Sequence, residues 1–164
     1  MDITTAHLLK TAPDSELRTF FAAPSDLGPE QLAHARTVIG VGKGAELSEE
    51  AQVIALMTAM QESKFVNYTS PVDHDSLGVF QQRPSMGWGT PAQITHVPTA
   101  SKVLLRTALA QYQSGAAPSR RLGVDGAGRC VPGGPAVGVS GRSQWEGFAR
   151  DLLEQEGPDA EPVP

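Results

Sequence analysis

The chain is 164 residues long, with 13 Lys plus Arg against 18 Asp plus Glu and a formal net charge of -5. That length is one ordinary domain of roughly 100 to 200 residues, and the acidic balance argues against a strongly basic nucleic-acid binder. The longest apolar run is the five residues Val53 to Met57, far short of the ~18 of a membrane span, so no membrane insertion is expected. A single cysteine, Cys130, excludes an internal disulfide and any multi-cysteine metal site, and it reads as a bystander thiol. No metal or cofactor is expected, and a monomer is.

Met1 to Lys10 lacks the basic start and apolar stretch of a signal peptide. Residues 1–28 read as a partly helical N-terminal extension, with Asp14-Ser15-Glu16 opening a short helix that Pro24 ends. Gly28-Pro29-Glu30 is a second start signal, and Leu32, Ala35 and Ile39 follow at helical spacing. Gly40, Gly42 and Gly44 are expected to stop that helix. Gly40-Val41-Gly42-Lys43-Gly44 is only superficially like a phosphate loop, since it follows a helix and lacks the Gly-Lys-Ser/Thr ending.

Ser48 is a good N-cap, Glu49 and Glu50 suit the positive end of a helix dipole, and from Ala51 to Met60 only Gln52 and Thr58 are polar. A helix apolar nearly all round is buried, and Glu62 falls at or just past its end. Residues 63–89, with Pro71, Gly78, Pro84, Gly87 and Gly89, form an irregular excursion. Thr90-Pro91-Ala92-Gln93 is a capping box opening a short helix, and a longer one is expected from about Thr99 to Gln113. Residues 115–141 carry eight of the 17 glycines and three prolines and read as a flexible loop. Ser143-Gln144-Trp145-Glu146 is a further capping box before a final helix. Residues 157–164 are expected to be a disordered acidic tail or linker, leaving 29–156 as the functional domain.

A carboxylate at the C-terminal end of a buried helix meets desolvation and the negative end of the dipole, which both raise its pKa. A raised pKa makes a proton donor, which glycosidic cleavage requires. From position alone, Glu62 reads first as a solvated charge at a helix end, and it is the sequence around it that favours the proton donor.

Gln61-Glu62-Ser63, followed by Asp75-Ser76-Leu77-Gly78-Val79-Phe80-Gln81-Gln82-Arg83-Pro84-Ser85-Met86-Gly87-Trp88-Gly89, resembles the lysozyme-like domain of lytic transglycosylases and goose-type lysozymes. The family pattern is Glu-Ser, a short excursion, then Gly-Leu-Met/Phe-Gln. The longer form, with Gln-Gln-Arg-Pro-Ser and Gly-Trp-Gly, is similar to a variant in actinobacterial cell-wall hydrolases and their phages. The resemblance covers about residues 37–113. It implies a mainly α, lysozyme-like fold with long irregular cleft loops, acting on peptidoglycan glycan strands. It implies Glu62 as the catalytic acid, Ser63 as its partner, and Gly78 and Gln81 lining the glycan cleft, with Gln82 beside them. Tyr68 and Trp88 offer flat faces for sugar rings, their competing role being core packing. The family's later Ala-Tyr-Asn-x-Gly has its nearest counterpart in Ala110-Gln111-Tyr112-Gln113-Ser114-Gly115, so Tyr112 is either an orienting tyrosine or a helix-face residue.

Asp73 and Asp75 are the only acids between Glu62 and Asp125, hence the candidates for a second carboxylate, although both also suit turn roles. The family's transglycosylases manage with one: it protonates the leaving oxygen, then as base helps the muramic acid C6 hydroxyl attack the same sugar's anomeric carbon. The expected function is therefore a peptidoglycan lytic transglycosylase. The alternatives are a hydrolytic muramidase and a non-catalytic glycan-binding or virion module. A wall substrate without a signal peptide points to a phage lysin, a virion component or part of a larger protein. Residues 64–150 carry 9 basic and 4 acidic side chains, including Lys64 and Arg83 beside the expected cleft, which suits an acidic wall polymer but not nucleic acid.

Overall fold

A computed structural model of the chain describes residues 11–71, 74–113, 122–124, 130–132 and 144–164. It is mainly helical. In chain order come α1 (Asp14–Phe20), a 3-10 turn (Pro24–Asp26), α2 (Pro29–Gly44), α3 (Glu49–Ser63), a second 3-10 turn (Pro84–Met86), α4 (Pro91–Thr95) and α5 (Val97–Gln113). A small ladder of β1 (Leu122–Val124) and β2 (Cys130–Pro132) and then α6 (Glu146–Glu156) complete it. Among the described residues no helix is long and apolar enough to cross a membrane.

The local start signals act as the sequence predicts. Ser48 Oγ accepts from the Ala51 N–H at the head of α3. Thr90 and Gln93 exchange reciprocal bonds at α4, the Gln93 N–H donating to Thr90 Oγ1 and the Thr90 N–H to Gln93 Oε1. Such bonds satisfy backbone donors that a first helical turn leaves unpaired. The Ser143 box has no such outcome: α6 starts at Glu146, its N-cap is Trp145 and no side chain caps it, while Ser143 lies outside the described residues.

Helix α3 is the centre of the molecule, packed against α2, α5 and α6. Val53, Ala55, Leu56, Ala59 and Met60 are buried along it and join Val38 and Ile39 of α2, Leu104 of α5 and Leu152 of α6 in one core. Leu17, Phe21 and Leu27 enter the same core, so the described part of residues 1–28 is packed on the domain rather than standing apart from it.

Three expectations are corrected. First, the glycines do not stop α2, which runs through Gly44. Each costs a helix about 1 kcal/mol against Ala, and what offsets it is close packing. A Cβ on Gly40 would run into the Glu161 carbonyl oxygen, one on Gly44 into that of Val163, and one on Gly42 would lie 2.6 Å from Gln52 Cγ.

Second, those contacts show that residues 157–164 are not a tail without structure but a strap along α2. The Val163 N–H donates to the Gly40 carbonyl at 2.9 Å, the Lys43 ammonium donates to the Gly157 and Ala160 carbonyls, and Ala160 is buried in the core. The acidic side chains project while backbone and small residues make the contact, which is why composition suggested disorder. Third, the segment 115–141 is not wholly without regular structure: its described residues are β1 and β2, paired antiparallel with Gly123 opposite Val131, and the rest of that expectation lies outside the described residues.

The strap predicts a split between glycines. Gly44→Ala should destabilise by about 1–3 kcal/mol through overpacking, whereas Gly147→Ala on α6, with nothing within 4 Å of the added carbon, should be neutral or gain up to about 1 kcal/mol. Urea unfolding of the two variants checks this, and equal effects would show that the strap does not press on α2.

Candidate active site

Glu62 is the penultimate residue of α3 and half-buried. The helix ends abruptly because Lys64 and Phe65 both take left-handed backbone angles, with φ 56° and 62°. Residues other than glycine adopt that region reluctantly, so the reversal must be held. The Lys64 N–H closes on the Met60 carbonyl, Gln31 Nε2 donates to the Lys64 carbonyl at 2.7 Å, and His34 Nδ1 donates to the Phe65 carbonyl at 2.8 Å. Phe65 is fully buried, and its packing adds to the restraint.

Ser63 turns away from solvent, its hydroxyl 2.6 Å from the Val79 carbonyl and 3.2 Å from that of Ala59. Having one proton to donate, it commits it to the shorter contact. Val79 sits in a tight turn closed by Leu77 and Gln82, which exchange backbone bonds of 2.9 and 3.0 Å. Gly78, with φ 75°, presses against the Ile94 carbonyl where no Cβ fits, and its N–H donates to the Tyr68 carbonyl at 2.8 Å. Gln81 Nε2 donates to the Gly78 carbonyl at 3.0 Å. The motif's two halves, Glu62-Ser63 and Gly78 to Gln82, are thus joined by the Ser63–Val79 bond.

Several expected glycan contacts face inward. Trp88 is 6% exposed and packs with Leu77 and Ile94, which is the core-packing role rather than an open sugar platform. Tyr68 is equally buried, which raises its phenol above the ordinary value of 10. Gln81 and Gln82 are both 1% exposed. Unlike Gln81, Gln82 has neither amide atom paired among the described residues, nor is Trp88 Nε1 or Asn67 Oδ1 paired. Lys64, 4% exposed, donates to the Gln61 carbonyl at 3.1 Å with its ammonium 5.7 Å from the Trp145 ring centroid. Arg83 bonds Asp75. Both cations are engaged within the fold, which corrects the expectation of a basic cleft wall built from them. Asp73 and the side chain of Tyr112 lie outside the described residues.

Asp75 is a loop staple, accepting from Arg83 Nε and from the Ser85 N–H at 2.8 Å. Hydrogen bonds from the Ser85 side chain, then from Arg83 and the Ser85 backbone, hold its carboxyl well below the usual carboxylate range. A carboxylate so stabilised is a weak base, poorly suited to activating water. Among the described residues no group of three or more His, Cys, Asp or Glu is placed to hold a metal ion. A cavity of about 250 Å3 lies between α2, α5 and the strap, lined by Val41, Leu47, Leu105, Lys102 and Val163, and includes no motif residue.

Sequence reasoning gave no site role to Gln31 and His34, whose partners lie 33 and 31 residues away, and did not foresee the bond of Trp145 to Gln61, 84 residues away. Comparison with known families, with curated proteins and with solved structures finds no match. A functional reading therefore rests on the residues and their geometry.

The staple makes a pH prediction. Because the folded-state pKa of Asp75 is depressed, its contribution to stability is present above the unfolded value of about 3.9 and is lost as pH falls towards the folded value. Asp75→Asn should be less stable than wild type at pH 7, with the gap closing as pH drops below about 4. Thermal melts across that range check it; a gap independent of pH would remove the ionised staple.

Proposed function

We propose that the chain is a peptidoglycan lytic transglycosylase that cleaves the β-1,4 bond between N-acetylmuramic acid and N-acetylglucosamine, with Glu62 as general acid and then base. The observation that carries this reading is a half-buried glutamate in the last turn of a buried helix, with its neighbour Ser63 bonded to the turn that carries Gly78 and Gln81. The resemblance of those two segments to the lysozyme-like pattern supplies the reaction class.

In this reading Glu62 gives its proton to the glycosidic oxygen as the C1–O bond breaks. The muramoyl C6 hydroxyl then attacks C1, and its proton passes to the Glu62 carboxylate, which restores the acid. No water is consumed, so no second carboxylate is needed. That suits a site in which Asp75 is engaged by Arg83 and Ser85. Delivery to the bacterial wall, as a phage lysin, a virion component or part of a larger protein, completes the proposal.

Digestion of purified sacculi with mass analysis of the products tests it. Wild type should leave 1,6-anhydro ends, lighter by one water than hydrolytic ends, and Glu62→Gln should release product at least about 100-fold more slowly. Hydrolytic ends would replace the transglycosylase with a muramidase. Equal, negligible release from both proteins would leave a non-catalytic glycan-binding module.

A further inference from the structure

The residues on either side of Glu62 are tied to parts of the chain remote from one another. Ser63 is bonded to Val79. On the other side, Gln61 Oε1 accepts from two donors, Trp145 Nε1 and Gln144 Nε2, both at 3.0 Å. The Gln61 backbone carbonyl accepts from Lys64 Nζ, whose ammonium lies over the Trp145 ring, so Gln61, Lys64 and Trp145 close a small cycle of contacts. Trp145 itself is 1% exposed and packs edge-on against Phe148, with ring centroids 6.0 Å apart.

A buried indole N–H requires an acceptor, and leaving it without one costs about 1–3 kcal/mol. Many acceptors would serve that need. Here the acceptor is the residue that precedes Glu62, and a second donor from the neighbouring Gln144 converges on the same oxygen. The location matters because the last turn of a helix has run out of intrahelical partners for its carbonyls, so its orientation depends on ties of this kind. Helix α6 is thus joined, through its N-cap Trp145, to the turn that carries Glu62.

We propose that Gln61 is a positioning residue, and that its amide oxygen, gripped by Trp145 and Gln144, sets the direction in which the last turn of α3 delivers the Glu62 carboxyl. The inference rests on the role proposed for Glu62 above. It makes α6 part of the catalytic apparatus without any α6 side chain touching substrate. The competing account is that Gln61 merely satisfies a buried N–H, in which case breaking the contact affects stability alone.

Three variants separate the accounts: Gln61→Met, which keeps length and loses the acceptor; Trp145→Phe, which keeps a ring and loses the donor; and the two combined. On sacculi each single variant should lower kcat about ten- to a hundredfold with KM unchanged, and the double variant should be no worse than the poorer single. Gln144→Ala, at a half-buried position, removes one of the two donors and should lower kcat several-fold with KM unchanged, which keeps the test alive if the tryptophan variant does not fold. A readout independent of turnover is the carbon-13 NMR titration of the Glu62 carboxyl, whose midpoint should be displaced in Gln61→Met. Variants that lose stability yet keep wild-type kcat and a wild-type Glu62 titration overturn the inference, while loss of activity in Glu62→Gln would still uphold the proposed function. If wild type is inert on sacculi, the proposed function fails, and the positioning of Glu62 by Gln61 stands or falls on the titration alone.

Discussion

The reversal of the chain at Lys64 and Phe65 is the constraint from which the rest of the site follows. Two consecutive non-glycine residues hold positive φ, and that ends α3 in the interior of the fold. Without the reversal the helix would carry Glu62 onward into its middle, where a side chain sits among intrahelical neighbours. With it, the last turn is open, and Ser63 reaches the Gly78–Gln81 turn. The cost of left-handed geometry, about 1–2 kcal/mol per residue, is offset by bonds from Gln31 and His34 of α2 and by burial of Phe65. Helix α2 therefore acts on the site at a distance, as a brace.

The same helix is held on its other side by the strap. Gly40 and Gly44, one turn apart, admit the backbone of residues 161–163, and Lys43 between them donates to two strap carbonyls. Strap, α2 and the end of α3 form a continuous series of packed contacts. A glycine run that looks like a helix stop is, in this setting, a groove for main chain. The helical propensity lost at each glycine is exchanged for contact that a side chain would prevent.

How much was legible in the sequence depended on the range of the interaction. Helix starts at Ser48 and Thr90 were readable because the cap and its partner are three residues apart. Burial of α3 was readable from its nearly continuous apolar run. Glu62 at the helix end followed from both. The inward turn of Trp88 was not readable, since it depends on Leu77 and Ile94 meeting across a loop. Nor was the engagement of Lys64, because a lysine's charge suggests solvent unless the fold supplies a carbonyl and an aromatic face. Residues 157–164 misled for a related reason: acidic composition describes their side chains, whereas their backbone makes the contact.

By itself, then, the sequence determined the helical class, the caps at Ser48 and Thr90 and the placing of a carboxylate at the end of a buried helix, because each depends on neighbours a few positions apart. Tertiary structure alone decided which motif side chains face inward, that the glycines of α2 receive a strap, and that Gln61 is gripped from 83 and 84 residues away. Hydrogen bonds of that span have no periodicity to announce them. They exist only once hydrophobic burial has brought α2, α3 and α6 together and left each buried donor in need of an acceptor.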